Sequence, residues 1–212
     1  MGNKIDIGSG FATVYVCSID ENVENINPLK CEMRNLEIEN TKNERVKTEK
    51  YYAWLLLEYA MKDVFGEEAS SAVFEKKESG KWVSDLTELS ISHCAGAVAV
   101  ALSDKAIGVD IEPLYNPRIL RLKERVLSAD EIKVIDGIED SKEKTEYFTR
   151  LWTGKEAIYK RLFSDRAFVP SSIPVSNYSI KTEKISLAER EYIISVATDG
   201  PLEINVLTAG AL

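Results

Sequence analysis

The chain has 212 residues, with 27 Lys and Arg against 35 Asp and Glu, giving a formal charge of −8 with its single histidine neutral. At 44% apolar and 29% charged, with 11 Gly and 6 Pro, it has the composition of a globular protein with a sizeable core, which excludes the disordered, collagen-like and disulfide-scaffold classes. The length fits one large domain or two small packed ones, and the acidic balance argues against non-specific binding to nucleic acid. The longest apolar run, Cys94 to Leu102, falls far short of the ~20 residues that span a bilayer. No membrane partner is therefore expected. The opening Met-Gly-Asn-Lys-Ile-Asp lacks an apolar signal region, and Cys17, Cys31 and Cys94 have no metal-ligand spacing. The expectation is a cytoplasmic chain with reduced thiols, no zinc and no disulfide.

In chain order, Phe11 to Ile19 (FATVYVCSI) is β-branched and aromatic and predicts a strand. The polar stretch from Asn22 to Asn43 carries no clear signal. From Thr48 to Asp63 the residues Tyr52, Leu55, Leu56 and Tyr59 fall at i, i+3, i+4, i+7 and predict a helix stopped near Gly66. Three strand-like pieces follow, Ala72 to Lys76, Leu89 to Ser92 and Ala97 to Leu102, expected to complete a sheet with the first strand. A further strand over Ala106 to Ile111 ends at Pro113. Helices are predicted over Arg118 to Leu127, over Ser128 to Ile135 (Ser128 and Glu131 forming a capping box) and over Glu143 to Phe163. Strands are predicted over Tyr178 to Ile185, Glu191 to Thr198 and Leu202 to Leu207, with Asp199-Gly200-Pro201 a turn. Each half thus offers strands and a long helix, and the fold class expected is α+β: two similar lobes, 1–104 and 105–212, each a small, mainly antiparallel sheet packed with a long helix.

Three segments have the residue types that chemistry needs. In Gly108-Val109-Asp110-Ile111-Glu112 two carboxylates stand at i and i+2 of a strand, on one face, an arrangement that suits a hard cation and equally suits two solvated side chains at a strand end. In Phe148 to Lys160 the residues Phe148, Leu151, Trp152 and Tyr159 form a core stripe. Glu156 and Lys160 stand one turn apart on the same helix, either as an ordinary exposed pair or as a carboxylate beside the stripe that requires a cation. Ile91-Ser92-His93-Cys94 holds the only histidine where a strand enters a turn; it either satisfies local backbone groups or, with Ser92, donates to a phosphate.

In this order and spacing, ISHCAGAVAV, GVDIE and WTGKEAIYK resemble the 4′-phosphopantetheinyl transferase superfamily, in particular its larger, two-lobed, monomeric type that serves peptide, polyketide and fatty-acid synthases. The resemblance is firm over about Lys47 to Phe163. It implies the transferase fold and a Mg²⁺-dependent enzyme that moves the 4′-phosphopantetheine arm of coenzyme A to a serine of an apo acyl or peptidyl carrier protein, releasing 3′,5′-ADP. It further implies Asp110, Glu112 and Glu156 as the metal ligands, and Ser92, His93, Lys81, Lys155 and Lys160 as coenzyme contacts. Lys50 stands where relatives often carry Arg, a change that loses bidentate phosphate geometry. Glu156 and Lys160 are the implied catalytic pair, as base toward the carrier serine and as stabiliser of the leaving group. The chain departs from the family pattern at Trp82, after Gly80-Lys81, and at Phe163-Ser164-Asp165-Arg166, after the long helix. Two other classes compete: a non-catalytic module binding coenzyme A or a nucleotide, and a metal-dependent phosphoesterase acting on small molecules. The resemblance also implies acidic carrier proteins, toward which a chain of charge −8 needs a local basic docking surface; Arg118, Arg121, Lys123 and Arg125 in RILRLKERV form either that surface or an ordinary solvated helix face.

Overall fold

The computed structural model describes residues 10–20, 27–114 and 117–212. The first half contains β1 (Ala12–Ser18), α1 (Glu32–Glu39), α2 (Glu44–Phe65), β2 (Phe74–Lys76), β3 (Trp82–Ser84), β4 (Glu88–Cys94) and β5 (Ala97–Ser103). The second contains β6 (Gly108–Pro113), α3 (Lys123–Val126), α4 (Ala129–Gly137), α5 (Ser141–Leu162), β7 (Ile180–Leu187), β8 (Arg190–Ala197) and β9 (Glu203–Leu207). A four-stranded sheet runs β4-β5-β1-β9, a three-stranded antiparallel sheet runs β6-β8-β7, and β2 and β3 form a hairpin. The mixed α+β class is as expected.

β5, the AVAVALS strand, organises the layers because both of its faces are buried. Val98, Val100 and Leu102 pack with Trp54, Leu56, Leu57 and Met61 of α2, while Ala97, Ala99 and Ala101 pack with Val109 and Ile111 of β6 and Ile194 and Val196 of β8. Alternation of side chains along the strand thus fixes helix α2 on one face and the second sheet on the other. On the far side of that second sheet lies α5, with Thr153 Oγ1 and Ser195 Oγ 2.7 Å apart and Ala157 and Ile158 packed with Ala197. The order of layers is helix, sheet, sheet, helix.

Three features differ from the sequence reading. Phe74–Lys76 pairs with Trp82–Ser84 and not with the large sheet, because Gly80, at φ +86, closes a tight turn with Gly80 N–H donating to Lys77 O at 2.8 Å. β9 leaves the second half and pairs in parallel with β1, a partnership that strand propensity does not encode. The expected helix over Arg118 to Leu127 is a 3₁₀ segment, Pro117–Leu122, followed by the single turn of α3. The capping box forms as read, with Ser128 and Glu131 satisfying one another's backbone N–H groups.

Two local arrangements position the site. Gly108 of β6 lies so close to α5 that a Cβ there would sit 2.0 Å from Ala157 O and 2.8 Å from Arg161 N. The absence of a side chain therefore lets β6 touch the helix that carries Glu156 and Lys160. On the other side, Arg34 is buried with its guanidinium 5.5 Å from the Trp54 ring and 5.9 Å from the Trp82 ring. It donates to Glu37 at 2.9 Å and to Lys50 O at 2.8 Å. Lys50 and Lys76 also reach Glu37, at 2.9 and 3.0 Å, and although burial alone would raise its pKa, these three cations hold it down at about 2. This cluster ties the β2–β3 hairpin to α1 and α2.

Gly108→Ala is expected to destabilise the protein by about 2–3 kcal/mol through overpacking, lowering Tm by several degrees. Gly137→Ala, where a Cβ meets nothing within 4 Å, should leave Tm unchanged or raise it slightly. Thermal unfolding of the two variants side by side checks the close approach of β6 and α5.

Candidate active site

β6 alternates: Val109 and Ile111 enter the core between the sheets, so Gly108, Asp110 and Glu112 face α5. Along α5 the positions Trp152, Glu156 and Lys160 recur every four residues and lie on one side. Trp152 Nε1–H donates to Glu112 Oε1 at 3.3 Å and Lys160 Nζ to Asp110 Oδ1 at 2.7 Å. The strand pair and the helix row seen in the sequence thus meet as two parallel ladders.

The third segment reaches this junction from the other sheet. β4 contributes Ser92, whose hydroxyl donates to Asp110 Oδ1 at 2.7 Å and accepts from Lys160 Nζ at 3.1 Å and, more weakly, from Ile111 N–H at 3.4 Å. Ser90 Oγ accepts from Val109 N–H at 3.0 Å, so both serines fasten β4 to β6. Ser92 therefore bonds the carboxylate directly, with its hydrogen committed there. Lys160 also donates to Val109 O at 3.2 Å. The ammonium of Lys160 goes to Asp110 across the chain and not to Glu156, its neighbour one turn away.

A cleft of ≈ 220 Å³ opens beside this junction, with Lys81, Trp82, Ser90 and Ile91 on one wall and Tyr159 and Lys160 on the other. Lys81 and Lys160, 79 positions apart in sequence, are thus brought to one cavity. Lys50 stands apart, with its ammonium on Glu37 and, at 3.0 Å, on Thr41 Oγ1. Lys155 is not brought to the cleft either. It is fully buried, and its ammonium is held by Pro170 O at 3.1 Å, Ile173 O at 2.9 Å and Glu131 at 2.9 Å. A lysine so placed braces α5 against α4 and the segment that follows α5. His93 lies half-buried on α2's side, Nδ1 3.0 Å from Glu49 Oε2.

The electrostatics are dominated by negative charge in short supply of cations. Burial, and then Asp110, push Glu112 up to about 7, and the same two causes push Glu156 up to about 7. The Cys94 thiol is pushed up by burial and then by Glu112 and Asp110. Burial works against the Lys160 ammonium, but Asp110 and Glu156 outweigh it and hold its pKa above the ordinary lysine value. Asp110 Oδ2 is buried without a hydrogen-bond partner among the described residues. Among those residues no group of three His, Cys, Asp or Glu side chains is drawn together tightly enough to hold a metal ion. The donor set nevertheless fits a hard divalent cation: oxygen ligands from Asp110, Glu112 and Glu156, one of them orphaned, two of them costly to ionise without added positive charge.

Two residues at the site escaped the sequence reading. Glu49, 4% exposed, stands among Arg45, Lys47, Thr48 and Lys50 in the charged first turns of α2, so nothing in the local sequence marks it as the carboxylate that packing buries. Trp152, part of the predicted core stripe, instead has a half-buried indole that donates to Glu112.

Comparison with known proteins agrees with the motifs. Residues 106–200 match the family model described as the 4′-phosphopantetheinyl transferase superfamily, so the resemblance read from the motifs is borne out. The chain is similar to a 4′-phosphopantetheinyl transferase of Bacillus subtilis, 26% identical over 130 residues, covering 60% of this chain and 55% of that protein. It is also similar to enterobactin synthase component D of Salmonella austin, 30% identical over 106 residues, covering 50% of this chain and 44% of that protein. The matches span about half the length of these curated relatives.

The raised carboxyls give a signed expectation for metal-free protein. Glu112 and Glu156 bind protons more tightly folded than unfolded, so the stability they contribute is complete below the unfolded carboxylate value near 4.5 and is lost as pH rises toward 7. In the presence of a chelator, Tm should fall between about pH 5 and pH 8, and Glu112→Gln with Glu156→Gln should flatten that slope. An equally steep fall in the double variant would mean that other groups set it.

Proposed function

We propose that this chain transfers the 4′-phosphopantetheine arm of coenzyme A to a serine of an apo carrier protein, giving holo carrier and 3′,5′-ADP. The observation that carries this reading is the meeting of all three motif segments at one point: Lys160 Nζ bonds Asp110 Oδ1 and Ser92 Oγ at 2.7 and 3.1 Å beside a cleft that also holds Lys81. The family match and the names of the relatives support the reaction class. A Mg²⁺ held by Asp110, Glu112 and Glu156 would supply positive charge to the coenzyme's pyrophosphate when bound.

The chain's own residues do the rest. Lys160, on one wall of the cleft, and Lys81, on the other, place two ammonium groups around a polyphosphate. Glu156 takes the proton of the carrier serine as its oxygen forms a bond to the β-phosphorus. The bond from that phosphorus to the bridging oxygen breaks, and 3′,5′-ADP leaves with Lys160 beside it. His93 meets the coenzyme's 3′-phosphate. The two halves, 1–104 and 105–212, are proposed as related lobes, each built on a 22-residue helix, α2 or α5, laid against one sheet. The protein is further proposed to act as a cytoplasmic monomer.

Carrier docking is proposed at α3 and the turn before it. Arg121 and Arg125 are exposed there, whereas Lys123 is already paired with Asp136 at 2.5 Å, and the side chain of Arg118 lies outside the described residues.

Asp110→Asn and Glu156→Gln should each lower carrier modification, followed by the carrier's mass increase, by about a hundredfold or more; Tm should move little in Glu156→Gln and fall in Asp110→Asn, which takes the counter-charge from Lys160. Chelation should stop the reaction and Mg²⁺ restore it. Near-normal turnover of either variant in Mg²⁺ would remove the metal-site assignment, and release of a free phosphopantetheine without carrier would favour the phosphoesterase reading. Arg121→Glu with Arg125→Glu should raise KM for carrier, leave that for coenzyme A unchanged, and lessen the salt dependence of the carrier reaction.

A further inference from the structure

Glu49 takes no part in the reaction just described, yet it is a carboxylate 4% exposed on a helix whose other inward residues are aromatic and aliphatic. Such a group requires compensation, because burial strips a carboxylate of its water and leaves only protein partners to replace it. Its Oε2 is 3.0 Å from His93 Nδ1, and its Oε1, which makes no hydrogen bond, lies 3.3 Å from Arg45 Nε. Arg45 is largely exposed, its side chain 65% accessible, so water screens that ion pair. The imidazole is the close partner, and it is the only histidine in the chain.

An ionised carboxylate accepts hydrogen bonds and cannot donate one. Facing an ionised carboxylate, Nδ1 is the donor of this contact, and the ring is turned so that Nδ1 faces α2. Among the described residues Nε2 makes no hydrogen bond, and about a third of the side chain is open to solvent. His93 neighbours Ser92, whose hydroxyl is fixed on Asp110, so the backbone that presents the ring is itself anchored at the junction of β4, β6 and α5.

We propose that Glu49 is a positioning residue for ligand binding: it holds His93 by Nδ1 and so makes Nε2 the ring atom that meets a phosphate monoester. With Nδ1–H committed to Glu49, protonation of the ring places its second hydrogen on Nε2. The Nε2–H then faces the phosphate while Nδ1–H stays on Glu49. Arg45 adds a second positive group at the same end of α2. The identity of the ligand as coenzyme A rests on the function proposed above; the orientation of His93 by Glu49 does not.

The test has one arm for each. Nitrogen-15 shifts of the single histidine, followed with rising pH until they stop changing, report which nitrogen carries the hydrogen in the neutral ring. The wild-type protein is expected to show the Nδ1–H tautomer and Glu49→Ala to revert to the Nε2–H tautomer that free histidine prefers. Glu49→Leu, which fills the space without an acceptor, serves if the alanine variant fails to fold. The second arm measures binding of 3′,5′-ADP by calorimetry. Loss of Glu49 should weaken it about tenfold, as loss of a charge-assisted hydrogen bond does, and should weaken it no further in a His93→Ala background. A wild-type Nε2–H tautomer, an unchanged tautomer in the variants, or an equal loss with and without His93 would overturn the proposal. If wild-type protein does not bind 3′,5′-ADP, the coenzyme reading fails, and the nitrogen shifts decide the orientation by themselves.

Discussion

One carboxylate oxygen, Asp110 Oδ1, accepts from both the Ser92 hydroxyl and the Lys160 ammonium at 2.7 Å, and the rest of the site is arranged around it. Asp110 is 4% exposed and belongs to β6, Ser92 to the edge strand of the other sheet, and Lys160 to the last turns of α5. Removing any of the three leaves a buried polar or charged group without its partner, so the triad is costly to break from any direction. It also sets the polarity of the cleft, since a single lysine stands among Asp110, Glu112 and Glu156, and the two glutamates remain hard to ionise.

The layers explain why that meeting point is open to ligands. Alanines on one face of β5 and a bare glycine at Gly108 let the two sheets, and then α5, approach closely. β4 and β6 are both sheet edges, so where they meet the ladders stop and side chains take over the pairing: Ser90 and Ser92 bond the backbone of Val109 and Ile111. An edge joined by hydroxyls leaves room for a cleft that a continuous sheet would close. The Arg34, Glu37, Lys50 and Lys76 cluster then fixes the hairpin that carries Lys81 and Trp82 to the cleft wall.

The segment that matches the family, residues 106–200, contains the carboxylates and Lys160. Ser92, His93, Lys81 and Glu49 all precede it. The half outside the family match thus supplies one wall of the cleft and the hydroxyl that bonds Asp110. The matched segment alone holds a ladder of carboxylates without the groups proposed to meet the rest of a nucleotide-bearing ligand.

The sequence by itself determined most of the elements, because period and punctuation are local: the 3.6-residue stripe of α2, the capping box at Ser128, the alternation that puts Asp110 and Glu112 on one face, and the four-residue row of Trp152, Glu156 and Lys160. What only the tertiary structure decided were the pairings between distant segments. Parallel addition of β9 to β1 depends on a free edge in the other half, and the hairpin of β2 with β3 on a turn at Gly80. Lys160 and Lys155 look equally suited to a phosphate in sequence, five residues apart on one helix. The turn of the helix sends the first to Asp110 and the cleft and buries the second under Glu131 and two carbonyls, since which side of a helix meets solvent is set by what packs against it.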